Sequence, residues 1–542
     1  MKKLLSSLVL ILVFLSACGG GGGDSVAIAP TSVADDSKYT LDYKGLTFFE
    51  KNIPSSSYKL EVLDDDEFND LDESQKLIVA DKILSTLFFG YDLKSLKQKI
   101  DAETFISDTF KSLSKETQQR EWVENYITDE DKFVRYVTTQ QETTDILARF
   151  YAFKELDNYF LNNWIAYILT QTIMFSPAYE LDSSHNPNIA RVYNRLVTLL
   201  EDEAGMRYIT YLHMMSEDNW RRFRSPEDNG REMLEIYTLD TDDTHVPMAG
   251  QALQNWKLDR DNDTLVIGLN ENTKPLKLFG TTIYNGDDFY RELVKSDDFI
   301  NGAVERLVRF FFEDSTEDKI IQIKNSIVSS HPETWQDILL QIVFSKEYLL
   351  YTSRAKSAEE TFFSLAKKIN FLHYRRTIYN FKRELDDMHQ ASMKYKLGKL
   401  TRVPLDTLSF AVYHKTIREE MMIRHSNSSS VDRYDRWDRQ GWSDAFIADD
   451  NYLHDETKPI ESLEAMINYL FNSTISRDVT KAELDMFESR MTKIEDTQRN
   501  LVWEFNIFAD NKYRESYKRN VTYLVLDYIS RIDTLYLQQK VK

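Results

Sequence analysis

From Arg224 to Trp256 the chain reads R-S-P-E-D-N-G-R-E-M-L-E-I-Y-T-L-D, a short turn, and then V-P-M-A-G-Q-A-L-Q-N-W. Ser225 is placed to cap a helix whose first position is Pro226, where a residue with no N–H loses nothing and its fixed φ suits a helix start. Asp228, three residues beyond the cap, makes an acidic variant of the capping box. Met233, Leu234 and Tyr237 then recur at helical spacing, while Glu227, Arg231 and Glu235 stand four apart on one flank. After His245-Val246-Pro247 a second helix runs through Ala249, Ala252 and Leu253 to Trp256. Two helices this close together, each with its own start signal, set the expected fold class as mainly α.

The rest of the chain agrees. Only 16 glycines and 10 prolines punctuate 542 residues, against 30 tyrosines and 31 phenylalanines. Few turn residues and many large aromatics describe a large helical core rather than many short strands. Leu77, Ile78, Ala80, Ile83, Leu84 and Leu87 form an apolar helical face ending at Phe88-Phe89-Gly90, where Gly90 can act as a C-cap. Tyr91-Asp92-Leu93 starts a second helix, and a strongly apolar one spans Glu155 to Phe175, stopped by Ser176-Pro177. Arg354 to Phe381 reads as one long basic-and-apolar helix. Asp259 to Gly286, with T-L-V-I-G and L-K-L-F-G-T-T-I-Y, is strand-like and predicts a small hairpin or extended insertion. The acidic run Asp64-Asp65-Asp66-Glu67 fits a helix N-terminus, where acids meet the positive end of the dipole.

At the other end of the sequence, Lys2 and Lys3 precede an apolar segment, Leu4 to Leu15, too short to span a bilayer and closed by Leu15-Ser16-Ala17-Cys18. This is the pattern of an export signal, and its last four residues resemble the lipobox of bacterial lipoproteins, in which the cysteine is lipidated. Cys18 is the only cysteine, which excludes an intrachain disulfide. Gly19 to Gly23 supplies a flexible tether, and glycine rather than aspartate after Cys18 implies sorting to the outer membrane. Acyl chains there hold a protein firmly. The expected organisation is a signal peptide at 1–17, lipidated Cys18 and tether at 18–57, a main helical domain at 58–425, a loop or linker at 426–459 and a C-terminal helical segment at 460–542.

The six pieces K-I-L-S-T-L-F-F-G (Lys82–Gly90), P-E-D-N-G-R-E-M-L-E-I-Y-T-L (Pro226–Leu239), Q-A-L-Q-N-W (Gln251–Trp256), L-K-L-F-G (Leu276–Gly280), R-L-V-R-F-F-F (Arg306–Phe312) and I-V-F-S-K-E-Y (Ile342–Tyr348) fall in order along the chain. In this they resemble the bacterial domain-of-unknown-function family numbered 1800, over roughly Gln75 to Phe371. The resemblance implies a helical, exported protein and no assigned activity. Asn163 and Tyr237 stand where relatives carry histidine, which implies that any metal or acid–base role of those histidines is lost here.

Formal charge is −21, from 88 acidic against 67 basic residues, which argues against a nucleic-acid partner. No H-E-x-x-H, G-x-S-x-G, phosphate loop or dinucleotide fingerprint is present, and no cofactor is expected. Two constellations remain. Asp228 and Glu232, four apart, could share a proton or raise one another's pKa for acid catalysis; alternatively Asn229, Arg231, Glu232 and Glu235 form a salt-bridge and amide network that docks the helix. Asp259, Asp261 and Asp263 open like a calcium loop, but Thr264 and Asn270 replace its glycine and glutamate, favouring an Asx-rich turn. The expected role is binding or scaffolding of an envelope protein or polymer, with a polymer hydrolase and a polysaccharide binder using exposed tyrosines and tryptophans as alternatives.

Overall fold

The computed structural model describes residues 56–128, 140–174, 189–223, 225–240, 242–259, 264–268, 272, 274–368, 378, 381, 385, 411, 414, 459–495 and 524–542. Cys18, Gly19 to Gly23 and the 426–458 stretch lie outside them. The architecture is mainly α, as the glycine and proline scarcity requires.

The first helices are α1 (Asp65–Asn69), α2 (Glu73–Thr86), α3 (Leu93–Asp101), α4 (Phe105–Ser112), α5 (Arg120–Thr128), α6 (Gln140–Ala152), α7 (Asn158–Thr172) and α8 (Ile189–Glu201). Their starts are fixed by acids: Asp64, Asp72, Asp92 and Asp157 each accept a backbone N–H of the helix they cap, Asp72 within a full capping box with Gln75. The acidic run is thereby explained twice over, because Asp65 also accepts the N–H groups of Ile106 (2.9 Å) and Ser107 (3.2 Å) at the start of α4. Nearly every side chain of α7 is buried, so this helix runs through the interior instead of lying on it.

Next come α9 (Met206–Met214), α10 (Glu217–Arg222), α11 (Pro226–Tyr237) and α12 (Val246–Ala252), then β1 (Lys257–Asp259), β2 (Thr264–Val266), β3 (Leu276–Leu278) and β4 (Thr281–Ile283). Ser225 caps α11 by accepting the Asp228 N–H at 3.1 Å, with Pro226 in the first turn. The strand-like insertion is two separate antiparallel hairpins, Lys257↔Val266 and Leu276↔Ile283. The second turns on Phe279 and Gly280, both with positive φ, the geometry a two-residue loop needs to match strand twist.

The body closes with α13 (Gly286–Lys295), α14 (Asp297–Phe311), α15 (Glu317–Ser329), α16 (Trp335–Val343), a π-helical turn at Glu347–Tyr351, β5 (Arg354–Ala355), α17 (Ala358–Lys368), α18 (Pro459–Ile475), α19 (Lys481–Glu495), a 3-10 turn at Asp533–Tyr536 and β6 (Leu537–Gln538). The long helix expected from Arg354 begins at Ala358; Arg354 and Ala355 instead pair with Gln538 and Leu537. α14 is central, packing against α7, α11, α13, α15 and α16. Gly302 lets it approach α11, since a Cβ there would lie 2.4 Å from the Tyr237 carbonyl oxygen. Gly90, expected as a helix cap, has a different task. Leu87 is the cap of α2, and Gly90 (φ +61°) lets the following loop lie on α17, where a Cβ would be 2.8 Å from the Lys367 Cβ.

Candidate functional site

On α11 the residues singled out from the sequence part company. Asp228 is exposed at the cap, while Asn229 is fully buried and accepts the Tyr290 hydroxyl proton at 2.6 Å. Arg231 reaches Asp243 at 3.8 Å. Arg306 of α14 donates to the carbonyls of Glu235 and Ile236 (2.6 Å for Ile236), satisfying the C-terminal end of the helix, and it feels the Glu235 and Glu232 carboxylates. Burial holds this guanidinium below its ordinary range in spite of those acids. Asp228 thus points to solvent while Glu232 acts toward Arg306.

Asp259 is half-buried in β1, opposite Thr264; Asp261 and Asp263 lie outside the described residues. Among the described residues no group of three or more histidines, cysteines or carboxylates is arranged to hold a metal. Asn163 accepts the Tyr193 hydroxyl at 2.5 Å, and Tyr237 packs on Phe299 with its hydroxyl pushed up by burial. Of the described tryptophans, Trp164, Trp220, Trp256 and Trp335 are core residues. Trp122 is exposed, beneath the Lys154 ammonium, and among the described residues Tyr284 and Tyr351 are the exposed tyrosines.

The concentration of chemistry lies elsewhere, between α2, the 345–360 segment, α17 and the C-terminal strand. Asp81 and Lys82 sit side by side on α2, yet both are buried. Asp81 takes Lys368 of α17 at 2.5 Å and Lys356 at 3.5 Å. Burial alone would push its carboxyl up; the two ammonium groups outweigh that and hold it below the usual range. One carboxylate cannot neutralise two cations, and burial brings Lys368 down to about 8. Among the described residues no carboxylate pairs with Lys367. It donates to the Phe153 carbonyl at 2.7 Å, with its ammonium 3.8 Å from the centre of the Phe89 ring, and burial brings it to about 7.

Beside this runs a second buried pair. Arg354 grips Glu360 with both terminal nitrogens, the Nη1–Oε2 bond being 2.8 Å, and it also donates to the Tyr348 hydroxyl (2.9 and 3.2 Å). Tyr348 is in turn hydrogen-bonded to Thr86 at 2.7 Å. Glu360 accepts the Ser357 N–H at 2.6 Å while Ser357 Oγ accepts the Glu360 N–H at 3.0 Å, a capping box that starts α17. The bidentate geometry and the extra hydrogen bonds are what a desolvated ion pair requires. The layer can hold charge, bind carbonyls and shift protons near neutral pH.

A third buried charge group stands apart, on α8 to α10. Asp218, fully buried, receives Arg191 (2.7 and 2.9 Å) and Arg195 (3.4 Å), and His213 beneath it is brought to about 3 by burial and Arg195, so it is neutral at physiological pH.

Compared with known proteins, the chain matches no family model, no curated protein and no solved structure.

Proposed function

We propose that this is an exported lipoprotein, held at the outer membrane by lipid on Cys18, whose helical body binds or scaffolds a protein or polymer of the cell envelope. The observation that carries the reading is Leu15-Ser16-Ala17-Cys18 behind a basic start and a short apolar segment, with Cys18 the only cysteine of the chain. Among the described residues no helix is long and apolar enough to cross a membrane. The excess of acid keeps a tethered body repelled from anionic headgroups.

Binding is favoured over hydrolysis because Asp228 and Glu232 face different surroundings, solvent for one and Arg306 for the other. An acid–base pair needs both groups to converge on one reacting bond. A polysaccharide-binding variant of the reading would rely on Trp122, Tyr284 and Tyr351 as its exposed aromatic surfaces. Fractionation of cells carrying Cys18→Ser tests the anchor: the protein leaves the membrane fraction, and a variant still firmly bound refutes lipid attachment. A normally folded Glu232→Gln protein keeps its biological role on the binding reading, and loss of that role would instead favour hydrolysis.

A further inference from the structure

The C-terminal segment lies across the charged layer as a strap. Leu537 and Gln538 pair antiparallel with Ala355 and Arg354, the Lys356 N–H donates to the Tyr536 carbonyl at 2.8 Å, and the N–H groups of Val541 and Lys542 both donate to the Leu350 carbonyl at 2.9 Å. The Gln538 side chain is buried against α2, donating to Ser85 Oγ at 2.8 Å and Thr86 Oγ1 at 3.3 Å. Immediately beneath is Lys82, only 1% exposed. Its Nζ donates to two main-chain carbonyls, Thr352 on the body at 2.5 Å and Gln539 on the strap at 3.2 Å.

The amine is therefore sealed in by the strap and recognised by it, yet among the described residues no carboxylate pairs with it. The neighbouring Asp81 on the same helix is taken by Lys356 and Lys368, and Glu360 is taken by Arg354. Arg354 itself, from β5, repels a charge on Lys82; Asp314, between α14 and α15, attracts it more weakly. The remaining neighbour is the Tyr348 ring, 4.7 Å from Nζ. Lifting the strap would replace one carbonyl by water and hydrate the amine. A proton prefers the lifted state for that reason, and any proton that prefers one of two states shifts the population toward it.

We propose that residues 537–542 form a releasable strap that opens as Lys82 takes up a proton, uncovering a row made of Lys82, Ser85, Thr86, Tyr348 and Arg354. Burial, reinforced by Arg354, holds the closed-state Lys82 well below the ordinary 10.5. Opening therefore grows as pH falls from about 10.5, by at most about tenfold per pH unit for one proton, and levels off below the closed-state value. The strap is a local unit of opening, distinct from unfolding of the body.

Hydrogen exchange of the full chain between pH 6 and pH 9 tests this, read as protection factors so that the intrinsic pH dependence of exchange cancels. Protection of the 537–542 amides falls with falling pH, while that of α14 does not follow it. In Lys82→Met, which keeps most of the stem and removes the charge, strap protection no longer depends on pH. Gln538→Ala lowers strap protection at every pH and leaves the slope. A flat wild-type profile, or an unchanged slope in Lys82→Met, overturns the proposal. If Lys82→Met does not fold, the wild-type comparison decides alone: strap and α14 losing protection together means there is no separate strap.

Discussion

Arg354 and Glu360 are 2% and 4% exposed at their side chains, so neither charge has water to fall back on. Arg354→Met should cost about 3–5 kcal/mol in urea unfolding, the range for leaving one member of a buried pair uncompensated, and adding Glu360→Gln should recover part of it. A double variant no better than Arg354→Met would show that the loss comes from packing or the Tyr348 contacts. Lys367 makes a prediction of opposite sign. Its folded value, about 7, is below the ordinary 10.5, so between those values the unfolded chain binds a proton that the folded chain does not, and stability rises with pH. Lys367→Met should be more stable than the parent near pH 7 and should have a shallower rise toward pH 10; an unchanged pH profile would mean that Lys367 is charged in the fold. Part of this was legible in the sequence, since Ser357-Ala-Glu-Glu360 spells a capping box. The rest was not, because the partner of Lys356 is Asp81, 275 positions away, and Lys367-Lys368 after Leu365-Ala366 reads as an ordinary solvated helix flank until the fold covers it.

Among elements, the short-range signals were read correctly where the chemistry is local. Ser225 with Pro226, and Asp92, depend on neighbours within a turn, and each helix starts beside its signal; the apolar helix expected over Glu155–Phe175 runs Asn158–Thr172, and Ser176-Pro177 lie outside the described residues. What failed depends on contact between elements. Gly90 is expected at the end of α2, but its conformation serves packing on α17, and the small hairpin or extended insertion expected over Asp259–Gly286 is resolved into two two-stranded hairpins. Glu227, Arg231 and Glu235 have the spacing of an ion ladder, yet Arg231 turns to Asp243, as exposed pairs worth little can readily do. The contact between α11 and α14 gives the sharpest test at this scale. A methyl group at Gly302 would meet the Tyr237 carbonyl oxygen at 2.4 Å and the Thr238 Cα at 2.8 Å, both main-chain atoms that cannot rotate aside. Gly302→Ala should therefore destabilise by about 1–3 kcal/mol, the cost of overpacking, despite alanine's better helix propensity. A stabilised variant in a denaturant titration would mean the two helices can separate without loss.

For the whole molecule, the sequence suggested a main domain ending at 425 and a separate C-terminal helical segment, because a polar serine-rich run lies between them. The packing joins them. Met466, Ile467, Leu470 and Phe471 of α18, with Val525, Leu526, Ile529 and Tyr536, belong to the same continuous core as α2 and α17. Lys368 donates to the Thr474 carbonyl at 3.2 Å, and Gln538 fills the polar notch at Ser85 and Thr86. Composition reveals where a chain is polar but not whether it returns afterwards to the same core. Removing 459–542 would open the α17 face and leave Lys82 and Lys368 without those carbonyls, a loss of apolar burial and of hydrogen bonds to buried cations together. The full chain should accordingly melt with α14 and α18 in one calorimetric transition, and a chain ending at 425 should lose cooperative unfolding and expose apolar surface to a dye such as ANS. A shortened chain with its own sharp transition, and native-like exchange protection in α14, would show that the body folds independently and that the C-terminal helices only dock on it.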